Sequence, residues 1–164
     1  MERDQWMTEV VKRLNHLIQL DFDAAGTYHQ ALAHCDDTAA RTDLMSFLVD
    51  HERHITNTMR VIRELGGTPI DVHRDLKGAV LEGMTKLRSY SGTLGALRAM
   101  RMNEKLTNRT YDRSANIYMP PLAVALVLEG LADERKHLTT IEMHIDRLAR
   151  RGAAIPVDQV GLRT

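Results

Sequence analysis

Two stretches lying 83 residues apart carry the same pattern, and this internal repeat limits what the chain can fold into. Leu48-Val-Asp-His51-Glu-Arg-His54-Ile aligns with Leu131-Ala-Asp-Glu134-Arg-Lys-His137-Leu, and Thr56, Ile62 and Leu65 then match Thr139, Ile145 and Leu148. The same offset pairs Asp21 with Glu104 and Tyr28 with Tyr111, each acid seven residues before its tyrosine and so on the same helix face. The sequence therefore reads as two helical hairpins. Each gives an acid from its first helix and an x-x-His pair from its second, which is how four-helix carboxylate bundles build a dinuclear metal site.

The polar residues fall where apolar ones are expected. In the last helix the seam runs Ala123, Leu126/Val127, Leu131, Glu134, His137/Leu138, Ile141, Ile145 and Leu148. Glu134 and His137 are three apart and project from one face toward the core, where charge needs a partner. Taken singly each has an ordinary reading: His137 as a hydrogen-bonded core histidine, Tyr28 as packing, Glu104 as the partner of an arginine. Asp21, His51, His54, Glu104, Glu134 and His137 together reverse that, because burying three acids and three histidines without a cation is costly. Asp23 lies about 200° round the helix from Asp21 and is expected to face away.

The periodicity predicts helices over about 5–33, 38–65, 93–115 and 121–150, with Asp4 capping the first. The second stops at Gly66-Gly67 and the fourth opens at Pro120-Pro121. The His34–Asp37 connection is short and implies an antiparallel neighbour. Between 66 and 92 the chain must return along the bundle, and Leu76, Val80, Leu81, Met84 and Leu87 predict a short helix in this crossover. The expected organisation is one all-α bundle over 1–151, made of hairpins at about 5–65 and 93–150, followed by an extended tail at 152–164.

At 164 residues and 43% hydrophobic composition, the chain can bury a core without disulfides or a structural metal, so a metal would serve function. The single Cys35 cannot form an internal disulfide, and the acidic amino terminus is unlike a secretory signal. The longest apolar run, Leu122 to Leu128, is too short to span a bilayer. Lys plus Arg and Asp plus Glu balance at 22 each, which gives no electrostatic case for a nucleic-acid or membrane binder. The row Arg98, Arg101, Lys105 and Arg109 lacks interleaved aromatics and reads as a solvated or subunit-pairing face. A cytoplasmic protein is expected. Leu94 and Met102 among outward arginines point to a homo-oligomer, a dimer first.

With Asp21, Tyr28, His51-x-x-His54, Glu104, Tyr111 and Glu134-x-x-His137 in place, the chain resembles the ferritin-like superfamily, the fold of bacterioferritins and rubrerythrins, over nearly its whole length. The helix end Arg60-Val-Ile-Arg-Glu-Leu-Gly-Gly-Thr-Pro69 is similar to that of small bacterial ferritin-like proteins. The resemblance implies a bundle that binds iron, one or two ions, and oxidises Fe(II) or reduces oxygen or peroxide. It makes Asp21 and Glu104 terminal ligands, Glu134 a bridge, and His54 and His137 one imidazole for each ion. Tyr28 and Tyr111 would orient the ligands or quench radicals.

Two departures sit in the first half. Asp21 stands where the family usually has Glu, and His51 stands where it has a bridging Glu; a neutral imidazole offers one lone pair and binds one ion. The ion served by Glu104, Glu134 and His137 is therefore expected to bind more tightly. Three carboxylates and three histidines suit Fe, Mn or Zn. Glu52 takes the place of the haem-ligating Met of haem-binding relatives, so no haem is expected. Three functions follow from this reading: a ferroxidase or di-iron oxidoreductase, a non-redox metal buffer, or a metal-free structural dimer.

Overall fold

In the computed structural model, residues 2–72 and 92–153 are described. They form four helices: α1 (Glu2–Ala33), α2 (Thr38–Glu64), α3 (Gly92–Ala115) and α4 (Pro121–Ala153). The paired contacts set the directions. Asp21 meets Tyr111 while Tyr28 meets Glu104, so α1 and α3 are antiparallel. Asp37 meets Arg147 while His54 meets Asp133, so α2 and α4 are antiparallel as well. Because each hairpin is also antiparallel, α2 and α3 run in the same direction on the bundle diagonal. The architecture is an all-α ferritin-like four-helix bundle of two hairpins. Chain leaving α2 has to regain the opposite end before α3 can start; the short helix expected within 66–92 falls almost wholly outside the described residues, as does the tail beyond 153.

Local chemistry sets most of the helix ends. Asp37 caps α2, its carboxylate accepting the Ala40 N–H at 2.9 Å. At the other end Gly66 takes φ +79°, its N–H donates to Arg63 O, and the Gly67 N–H donates to Ile62 O, both at 2.9 Å. This is a Schellman closure, and it needs a residue at ease with left-handed backbone. Pro121 opens α4 and the Val124 N–H reaches Pro120 O at 3.0 Å. Asp4 is no cap, because α1 already begins at Glu2; Trp6 and Met7 are partly buried against the core.

Two hydrophobic clusters fill the bundle. One, toward the α1–α2 loop, includes Tyr28, Leu32, Leu44, Phe47, Leu97, Met100 and Ile141. The other, toward the opposite end, includes Val10, Leu14, Leu17, Ile18, Ile62, Val127 and Leu131. Between them lies a layer of buried polar side chains: Asp21, His51, His54, Thr58, Glu104, Thr107, Glu134 and His137. Asp23 is exposed, as are Arg98, Lys105 and Arg109 of the basic row. Among the described residues no helix is long and apolar enough to cross a membrane.

Candidate metal centre

All six residues singled out from the repeat meet in the polar layer, and none is more than 4% exposed. They fall into two overlapping groups, Asp21, His51, His54 and Glu134, and His51, Glu104, Glu134 and His137. Within each group one ligand atom per residue lies within 4.8 Å of the others. In the first, Asp21 Oδ1 is 2.9 Å from His51 Nδ1 and 3.5 Å from His54 Nδ1, and Glu134 Oε1 is 3.5 and 3.6 Å from the same nitrogens. In the second, Glu104 Oε1 is 3.7 Å from His51 Nε2 and Glu104 Oε2 is 3.7 Å from His137 Nδ1.

Glu134 and His51 belong to both groups. A carboxylate with two oxygens was expected in that role; the imidazole was expected to serve a single ion. Its ring stands between the groups with Nδ1 toward Asp21 and Nε2 toward Glu104.

Each tyrosine crosses to the other repeat. Tyr28 donates its hydroxyl to Glu104 Oε1 at 2.7 Å, and Tyr111 donates to Asp21 Oδ2 at 2.6 Å. One oxygen of each acid is thus held and the other is turned into the cluster. Burial, followed by the charges of Glu104 and Asp21 respectively, pushes both phenols well above the usual tyrosine range, so they remain donors.

A second exchange escaped the sequence reading. His54 Nε2 is 3.1 Å from Asp133 Oδ2, and His137 Nε2 is 3.1 Å from Asp50 Oδ2. Arg53 Nη2 joins the two aspartates, at 2.6 Å from Asp50 and 2.9 Å from Asp133, while its Nη1 reaches Glu129 at 2.9 Å. With Nε2–H donated outward to a carboxylate, Nδ1 of each histidine keeps its lone pair directed inward. The signal was present: Asp50 and Asp133 match at the same offset, each just before the first ligand of its helix. Equivalence, however, does not say that each serves the other repeat's histidine. Phe47 stacks on His137 with centroids 4.2 Å apart, and Asn108 donates to the backbone carbonyls of Glu104 and Glu134 at 2.9 and 2.7 Å, tying α3 to α4 at the level of the cluster.

Hydrogen bonding within the protein leaves this layer incomplete. Among the described residues seven buried side-chain nitrogen or oxygen atoms have no hydrogen-bond partner. Six of them are here: His51 Nε2, His54 Nδ1, Glu104 Oε2, both oxygens of Glu134, and His137 Nδ1. Such atoms are rare in native proteins and each needs an explanation.

The electrostatics agree. Burial opposes charge on Asp21, but its hydrogen bond to His51 and the nearness of His54 outweigh it and hold the carboxyl below its usual range. Burial likewise opposes charge on Glu104, where His137 and His51 bring it down to about 2. His51, pushed down by burial, is raised well above an ordinary histidine by Glu134, Asp21 and Glu104 around it. Glu134 is driven well above the carboxylate range, first by burial and then by Glu104 and Asp21, despite the opposing charge of His51. The chain alone thus tends to keep a proton on its central carboxylate. A cation would displace that proton and supply a partner for every orphaned atom, so the residues present fit a metal.

Fold and site together give a four-helix bundle of ferritin-like fold with candidate metal-ligand groups at its middle. The chain belongs to the family described as a domain of unknown function, DUF2383, whose model matches residues 9–116, a span that carries Asp21, His51, His54 and Glu104 but ends before α4. In structure it is similar to a two-domain protein from Anabaena variabilis with DJ-1/ThiJ/PfpI-like and ferritin-like domains, at a TM-score of 0.71 and 13% identity. That match covers 96% of this chain and 41% of the other, so this chain spans less than half of the Anabaena protein. It is also similar to a dodecameric thioferritin, the bacterioferritin-related protein of Bacteroides fragilis, at a TM-score of 0.69 and 16% identity over 91% of each chain. No curated protein matches it in sequence.

Proposed function

We propose that this protein binds two metal ions, iron in the first instance, in the polar layer of its bundle and acts as a ferroxidase or as a reductase of oxygen or peroxide. The observation that carries this reading is the convergence of six unpartnered, buried ligand atoms from three of the four helices. One ion would be held by Asp21, His54 and Glu134, the other by Glu104, His137 and Glu134, with a nitrogen of His51 toward each. A pair of irons supplies the electrons that reduction of dioxygen or peroxide requires. The chain's own part is to fix the donors. Asp50 and Asp133 hold His137 and His54 in the tautomer with Nδ1 free, Tyr28 and Tyr111 hold one oxygen of each terminal acid, and the apolar clusters above and below exclude bulk water.

The mixed nitrogen and oxygen set also suits Mn or Zn. A non-redox buffer is the second reading, favoured by the surplus of imidazole over a carboxylate-rich centre. Anaerobic loading with Fe(II) followed by air, watched by ultraviolet-visible absorption, separates them. The catalytic reading expects a ligand-to-metal band that appears with Fe(II) loss within seconds to minutes; retention of colourless Fe(II) for hours would leave only the buffer. The buried, unpaired Cys35 fits a reducing cytoplasmic setting. Exposed Met45, Val49, Met102 and Leu106 fit association with a second copy.

A further inference from the structure

Gly130 lies within α4, where glycine is a poorer helix former than alanine. It has no left-handed backbone to excuse it, since the positive-φ glycines among the described residues are Gly66 and Gly92. What it meets is a ring. A Cβ at Gly130 would overlap Cε1 of Tyr111 and lie 3.0 Å from Cζ and 3.1 Å from Cδ1. That ring is 2% exposed and tethered through its hydroxyl, so it cannot swing clear without losing its bond to Asp21.

The repeat sharpens the point. The position matching Gly130 in the first half is Phe47, whose ring meets Tyr28 edge-on at a centroid distance of 6.4 Å. One tyrosine packs on a phenylalanine and its counterpart on bare backbone. The acids they hold differ too, Asp21 being one methylene shorter than Glu104, yet the two hydrogen bonds are 2.6 and 2.7 Å. Equal bonds to acids of unequal reach are met if the two tyrosines are seated differently against their helices. The room for that difference is at Gly130.

We propose that Gly130 is a positioning residue for the Asp21 half of the metal centre: by omitting a Cβ it seats Tyr111 so that the phenol holds Asp21 Oδ2 and leaves Oδ1 facing His51, His54 and Glu134. The inference rests on the two-metal reading above. It makes Gly130 the compensation for the shortened acid.

The test compares Tyr111→Phe, Gly130→Ala and the double variant in the full chain. Metal-free protein is examined by NMR for the hydroxyl proton of Tyr111, assigned by its loss in Tyr111→Phe, and is then titrated anaerobically with Co(II). Gly130→Ala should lose that proton and weaken one of two Co(II) ions by about 10 to 100-fold, the range for partners that orient a ligand. Tyr111→Phe should weaken the same ion, and the double variant should be no worse than the poorer single, because both changes remove one contact. A Gly130→Ala protein that keeps the hydroxyl proton and both affinities, or losses that multiply in the double variant, would overturn the proposal. Wild-type protein that takes up no Co(II) would sink the metal reading and the metal half of this inference, while the hydroxyl proton decides the seating by itself. If Gly130→Ala does not fold, Gly130→Ala with Tyr111→Leu should, since leucine removes the ring that the new methyl strikes; a double variant that stays unfolded also overturns it.

Discussion

Asp50 and Asp133 do for His137 and His54 what neither histidine can do alone, which is to decide which nitrogen keeps its lone pair. Replacing either aspartate with Asn keeps the shape but weakens the acceptor, and should cost about 10 to 100-fold in affinity for the ion its histidine serves. His137→Ala removes the donor itself and should exceed that range; isothermal titration with Mn(II) or Zn(II) measures both. His51 gives a prediction with two signs. In the chain alone it is the positive neighbour of Asp21, Glu104 and Glu134, so His51→Glu adds a fourth buried carboxylate and should lower the metal-free melting temperature. With metal present the second oxygen provides a bridge, so the rise in melting temperature on adding Fe(II) should be larger than in the wild type and oxygen-dependent Fe(II) oxidation faster. Equal melting shifts in both proteins would remove His51 from the centre.

Along the helices, the seams were legible because burial follows the 3.6-residue period: on the stripe read from the last helix, Ala123, Val127, Leu131, Glu134, His137, Ile141 and Ile145 are all buried. The ends were less so, since Asp4 has the chemistry of a cap but lies inside a helix that already begins at Glu2, and Asp37, the cap of α2, drew no notice in a short loop. What a single sequence hides is partnership. Periodicity placed Asp50 and Asp133 beside their ligands, yet which helix they address depends on the antiparallel packing of α2 on α4. Gly130 was silent for the same reason, because its role is defined by a ring on α3. Asp37 also anchors Arg147, which donates to it at 2.6 and 3.0 Å. Asp37→Ala should cost about 1 kcal/mol as a lost cap. The sign with pH follows from its pKa, brought from 3.8 down to about 2 by Arg147 and then the Ala40 N–H. A lowered carboxyl stabilises above its unfolded pKa, so the penalty should be full above about pH 4 and fade as pH falls toward 2, read from urea midpoints of both proteins.

For the molecule as a whole, the two apolar clusters lie on either side of the polar layer and give the helices a reason to pack without metal. The metal-free chain should therefore stay helical by circular dichroism, and an ion present at 100 times its Kd should stabilise it by about 2.7 kcal/mol. Association through the outer methionines predicts a sedimenting species heavier than 18.6 kDa at micromolar concentration; a monomer throughout would reject it. The six orphaned ligand atoms should take up two cations, a stoichiometry read by titrating metal-free protein with Fe(II) under anaerobic conditions and counting iron per chain after gel filtration, for the wild type and Glu134→Gln. The wild type should hold two ions and Glu134→Gln at most one, weakly held, in a variant that is folded and no less stable without metal. A folded wild-type chain that emerges from the column with no iron would rule out the two-cation site.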